Sequence, residues 1–170
     1  LLKSKFNSLA RSLLNKTKFL LLKFITIFFI SISVSNAELI KPNSKISPSE
    51  VVKIQLLGLQ KNNDGFKDSG IEQTWNFAHP NNKEVTGPLD RFKIMIKSDN
   101  YQMMIDHLSH TITQVRSGAS WAQFEVIILD KEKIYHKFNW QVEKYTEDGP
   151  LKNCWLTTMV SSPVSLGSSI

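Results

Sequence analysis

The chain has 170 residues, with 21 Lys and Arg against 15 Asp and Glu and a formal net charge of +6, a balance that invites nucleic acid or anionic lipid as a partner. Six of the basic residues precede Glu38, whereas all 15 acids lie at or after it, so residues 38–170 carry 15 charges of each sign. A phosphate-binding surface needs clustered Lys or Arg; here they alternate with acids, as in Lys131-Glu132-Lys133, which excludes nucleic acid as the partner of this part.

Residues 1–37 are expected to be a signal or targeting leader. Lys3, Lys5, Arg11, Lys16, Lys18 and Lys23 come first, then the apolar run Phe24 to Val34, then Ser35-Asn36-Ala37 with small residues at the first and third positions. That is the order of a secretory signal peptide cut after Ala37, giving an exported, periplasmic or secreted product. A spanning helix needs about 20 apolar residues, so a membrane anchor through residues 19–34 is the alternative only if Lys23 lies inside it. The absence of acids and the several Ser residues also suit a transit peptide for a plastid or other organelle.

Beyond the leader, residues 38–46 read as a polar linker broken by Pro42. Ser47-Pro48-Ser49-Glu50 then marks a helix start, with Ser47 as cap, Pro48 at the first helical position and Glu50 completing a capping box. Val51, Val52, Leu56 and Leu59 recur at helical spacing, with Ile54 and Leu57 widening the apolar face, and the helix stops near Asn62-Asn63-Asp64-Gly65. A second short helix runs from Ser69 or Gly70 to Ala78 and is ended by His79-Pro80, which sends the chain into an extended exit. Gly87 permits an unusual backbone angle before a third helix begins at Pro88, turning Leu89, Phe92, Met95 and Ile96 inward.

After Asn100 the helical spacing gives way to alternation, the mark of sheet. Strands are expected over Thr111 to Arg116, Trp121 to Leu129, Ile134 to Tyr145 and Cys154 to Val160, with Asp130 to Lys133 as a hairpin turn and Thr146 to Pro150 as another. The domain occupies 47–162, and 163–170 reads as a flexible tail. The lone Cys154 excludes an intrachain disulfide, so the core must hold the fold; Cys154 itself reads as a buried apolar residue. Helices first and consecutive antiparallel strands after them give an α+β fold, with N-terminal helices packed on a curved antiparallel sheet of about four strands.

Several pieces in this order carry a resemblance: Gln55, Leu56 and Leu59; Asn63-Asp64; Trp75-Asn76-Phe77-Ala78-His79-Pro80; Thr86-Gly87-Pro88-Leu89; Arg91-Phe92; Tyr101; Gly149-Pro150; and Cys154-Trp155. Together, over about residues 48–162, they resemble an uncharacterised domain-of-unknown-function family of bacteria, plants and algae, with a cystatin or nuclear transport factor 2-like fold. The resemblance implies a cone-like shape with a cavity, and it brings no catalytic residues. The family pattern favours Ser where His79 stands and Gly where Asn153 stands.

His107 and His110, with Asp99 and Asp106, are the nearest approach to a metal cluster. Zinc needs three or four ligands with supporting partners, so they read as surface or capping histidines, and neither metal nor cofactor is expected. His136 shares parity with Phe138, Trp140 and Val142, which points it at the apolar face of the sheet. It is read either as a general base in a cavity, with Glu125 or Asp90 as its acid, or as a strand-end histidine bonded to backbone. Asp90 has its own alternative, electrostatic support of a helix start. Trp75, Trp140 and Tyr101 are candidates to line a pocket for a small apolar ligand, with ordinary core packing as the alternative.

The leading expectation is a non-enzymatic binding or accessory module, taking a small apolar ligand or a protein partner through the cone cavity or an exposed sheet face. The alternative is a small cone-fold lyase or isomerase using a pocket His and a carboxylate. Contact with a membrane is expected only through an uncleaved leader.

Overall fold

The computed structural model describes residues 38–168, so the expected leader, its cleavage site and any anchor through residues 19–34 lie outside the described residues. The fold is α+β. Among the described residues four helices, α1 (Pro48–Gln60), α2 (Ser69–Asn76), α3 (Pro80–Thr86) and α4 (Leu89–Ile96), are followed by a 3-10 turn at Gln102–Met104. Five strands complete it: β1 (Ser109–Ser117), β2 (Trp121–Leu129), β3 (Ile134–Lys144), β4 (Trp155–Val160) and β5 (Val164–Ser168). Among the described residues no helix is long and apolar enough to cross a membrane.

Helix α1 starts as its sequence dictates: Pro48 opens it and Ser47 Oγ accepts the Glu50 N–H at 3.3 Å. It buries Val51, Val52, Leu56 and Leu59 in the core, Ile54 is buried on the side it shares with Leu57 and Gly58, and Leu57 itself is exposed. Among the buried residues of this helix one is polar, Gln55, and it bonds to Thr74 and Thr157. The start of α2 is organised by the buried Asn62, which does the work of a cap at a distance. Its carbonyl accepts from Gly70 N–H and Ser69 Oγ, and its Oδ1 accepts from Ile71 N–H, satisfying helix-end donors that would otherwise be orphaned. Asn62 Nδ2 in turn donates to Asp68, whose other oxygen is 2.7 Å from Lys97 Nζ. That ammonium, with help from Asn62, holds the Asp68 carboxyl below the usual range against the opposing effect of burial.

The expected extended exit after His79-Pro80 is corrected by α3. His79 has ψ 145, extended as a residue before proline must be, but that same geometry makes it an N-cap. Its Nδ1 accepts from Asn81 N–H at 3.2 Å, and Pro80 begins the new helix. The dipeptide therefore closes one helix and opens another.

The sheet is antiparallel in the order β1-β2-β3, and the outer edge of β3 is shared by two segments. β4 pairs with Trp140–Lys144 and β5 with Ile134–Lys137. They act as one strand interrupted at Ser161-Ser162-Pro163, where proline cannot donate to a ladder. The expected loose tail is therefore a strand over Val164–Ser168, and the sheet has five strands rather than about four. Register shifts at Gln114/Arg116, Gln141/Val142 and Tyr135/His136 place an irregularity on three of the pairings, and bulges of this kind bend and twist strands. The face turned to α1 carries Ala122, Phe124, Val126, Ile128, Phe138, Trp140 and Val142, all buried, while the intervening residues are half-buried or exposed. Cys154 is buried, and desolvation pushes its thiol up.

Candidate functional site

Two concavities adjoin the 3-10 turn. Met104 of that turn lines the inner cavity, and Gln102 and Met103 line the outer cleft.

The inner cavity lies between helices and sheet, lined by Gln55, Thr74, Tyr101, Met104, Trp140 and Thr157 among others, with a volume of about 90 Å³. Of the sequence-predicted pocket residues, Tyr101 and Trp140 reach it. Trp75 does not: its ring packs on Phe92 at 5.1 Å, with Lys83 Nζ 5.2 Å from its centroid. A polar chain crosses the wall. Trp140 Nε1–H donates to Thr157 Oγ1 at 3.1 Å, Thr157 Oγ1–H donates to Gln55 Oε1 at 2.6 Å, and Gln55 Nε2–H donates to Thr74 O at 3.0 Å. Each buried polar group is met by another, as burial requires, and the chain ties β3 and β4 to α1 and α2. Nothing in it titrates. The cavity is also smaller than the roughly 150 Å³ that holds a benzene-sized guest.

The outer cleft measures about 380 Å³ and is lined by Lys97, Gln102, Met103, Ile105, Asp130, Lys131, Glu132 and His136. The end of α4 and the 3-10 turn supply one wall; the β2–β3 hairpin supplies the other. His136 does face inward, as its parity requires, and is only 9% exposed. The acids expected beside it are elsewhere. Glu125 lies on the opposite face of β2, where its carboxylate is 3.6 Å from Lys137 Nζ, because it alternates with the buried Phe124 and Val126. Asp90 is exposed in the first turn of α4.

The carboxylate that meets His136 is Asp130, 4% exposed, with Oδ2 2.7 Å from His136 Nε2. Its other oxygen accepts the Ile134 N–H at 2.8 Å, closing the hairpin turn, in which Lys133 takes φ 62. Both carboxylate oxygens thus act as acceptors, so Nε2–H is the donor and the lone pair of the neutral ring is on Nδ1. Among the described residues Nδ1 makes no hydrogen bond, and no buried side-chain nitrogen or oxygen lacks a partner; Nδ1 therefore opens to the cleft. A signal for Asp130 existed. It continues the inward parity of Val126 and Ile128, and Ile128 is the register partner of His136, which sets Asp130 diagonally across the hairpin from the imidazole.

The other histidine pair is built differently. His107 Nδ1–H donates to Met104 O at 2.7 Å, and its Nε2 lies 2.7 Å from His110 Nδ1. Burial, the largest influence on each, pushes both imidazoles down; for His107 the Met104 carbonyl and Asp106 oppose it and His110 adds to it. Asp99 is bonded to Gln102 instead. Among the described residues no three His, Cys, Asp or Glu side chains are grouped to hold a metal ion.

No family model matches the chain, and none of the curated proteins or solved structures compared with it matches either.

Proposed function

We propose that residues 47–168 form a small-ligand binding module, and that the ligand occupies the cleft between the 3-10 turn and the β2–β3 hairpin. The observation that carries this reading is the cleft itself: about 380 Å³, within the roughly 300–1,000 Å³ range of small-molecule sites, with apolar Met103 and Ile105 beside a few convergent polar groups. The inner cavity, a quarter of that size, serves as packing space around the Trp140–Thr157–Gln55 chain. This moves the expected site from the interior of a cone to its rim. The bulged pairings and the apolar sheet face packed with the helices support a cone-like, nuclear transport factor 2-like arrangement, and the ordered motifs from Gln55 to Trp155 support the resemblance to the unknown-function family. Delivery out of the cytoplasm, or into an organelle, belongs to the same proposal and rests on the leader over residues 1–37; a mature protein from its native cell beginning at Glu38 is the result that bears it out.

The test of the binding reading is a fragment screen by amide NMR on residues 38–170, using small neutral aromatics and small carboxylates as probes. Saturable shifts centred on Gln102, Met103, Ile105, Lys131 and His136 are expected. Shifts confined to the surroundings of Trp140 and Tyr101, or none in the millimolar range, would sink it. A second reading, chemistry at the same cleft, is favoured by the unpartnered Nδ1 of His136.

A further inference from the structure

We infer that His136 Nδ1 is a proton acceptor for a small carbon acid bound in this cleft, with Asp130 as its positioning residue. The inference rests on the binding reading and gives it a substrate class. Three observations carry it. The imidazole is held in one tautomer, because Asp130 takes the Nε2–H at 2.7 Å while its own position is fixed by the Ile134 N–H. The resulting lone pair lies on the one ring nitrogen without a protein partner, on the wall of a cleft open to solvent. The carboxylate behind the ring stabilises the imidazolium that proton uptake creates, the role such a pair performs in general-base catalysis.

The remaining lining narrows the chemistry. It contains no Ser, Thr or Cys, so His136 has no protein nucleophile to activate there, and the proton it takes comes from the bound molecule. Lys97 and Lys131 stand on the same cleft. Lys97 commits one N–H to Asp68 and retains two of its three donors. Ammonium donors on the same cleft as a base, with Glu132 and the Asp130 behind the ring as the other charged side chains there, suit a substrate in which negative charge develops on oxygen as a C–H proton leaves. In the proposed step the C–H bond alpha to a carbonyl breaks, its electron pair becomes the carbon–carbon double bond of an enolate, and the carbonyl oxygen takes the charge beside the lysines. The proton moves to Nδ1 and is returned from there, to the same or a neighbouring carbon. The step needs no oxidant, reductant or second substrate.

A general probe of a base in an apolar cleft is 5-nitrobenzisoxazole, whose C3–H proton is abstracted as its N–O bond breaks, releasing 2-cyano-4-nitrophenolate. On residues 38–170 the wild-type rate is expected to exceed that of His136→Gln by about a hundredfold. Asp130→Asn, which keeps an oxygen to accept the Ile134 N–H, is expected to lower kcat about tenfold with KM little changed. Glu125→Gln, on the far face, should match wild type. The imidazole nitrogen NMR spectrum gives a readout that a purely structural role for Asp130 would not move: one Nε2-protonated tautomer in wild type, a mixture in Asp130→Asn. If fragments still bind the cleft but wild type is no faster than His136→Gln, the proton-transfer assignment is overturned and the binding reading stands; if binding is absent as well, both fall.

Discussion

Gly58 and Gly70 meet backbone to backbone where α1 crosses α2, so closely that a Cβ placed on residue 70 would overlap the Gly58 carbonyl. Neither helix end can retreat, because Gly70 N–H and Ile71 N–H are both bonded to Asn62 at the end of α1. Gly70→Ala is expected to destabilise the domain by about 3 kcal/mol, the upper range for an overpacked core site. Gly58→Ala should cost less, since its Cβ would meet Gln73 at 3.3 Å. Urea denaturation of both variants checks the order; equal midpoints would refute the account of the crossing.

Thr157→Val tests the polar chain. The change conserves shape but leaves Trp140 Nε1–H without an acceptor and Gln55 Oε1 without a donor, both in the buried core. Each orphaned group costs about 1–3 kcal/mol, so a loss of about 2–4 kcal/mol is expected, read as a fall in the thermal midpoint. A neutral outcome would mean that the chain contributes nothing to docking the helices on the sheet.

Acid sensitivity is expected to begin near neutrality. Burial holds His107 and His110 below the usual histidine range in the folded protein, whereas in the unfolded chain they titrate at about 6.5. Between those limits the unfolded state binds more protons, so stability is complete above about pH 6.5 and falls as pH drops toward the folded values. Asp68, held low chiefly by Lys97, acts in a separate window, losing its contribution only as pH falls through its folded value below the ordinary carboxylate range. Urea midpoints measured from pH 7.5 to 5 should decline in wild type and decline less when His110 is replaced by Gln. A flat wild-type profile would contradict the assignment.

What could be read from the sequence follows the physics of each segment. β2 and β3 were legible to the residue at their starts because strict alternation of buried and half-buried positions is a strong period-two signal. α3 was not, since Pro80-Asn81-Asn82-Lys83-Glu84-Val85-Thr86 buries no residue and offers no apolar stripe to find. β5 was hidden for the same reason, all five of its residues being exposed. At the site, parity orients His136 correctly, whereas the acid it meets, Asp130, carries a turn signal that hides its second role: it closes the hairpin through Ile134 N–H and holds His136 Nε2. Two positions where the sequence departs from the resembled pattern also acquire a physical reading. His79 caps a helix start, which Ser does as well, and Asn153 takes φ 64, the left-handed region that Gly enters freely and Asn tolerates.

The division of the outer edge between β4 and β5 has a practical side. Ser165 pairs with His136 and Ser168 with Ile134, so Ser168, the last described residue, lies beside the hairpin that holds the Asp130–His136 pair. A purification tag, fusion partner or surface tether attached there would crowd that hairpin and shade the cleft. Attachment ahead of Glu38 puts the foreign segment at the other end of the described chain, and preparations differing only in the tagged end would show whether the cleft responds to its neighbour.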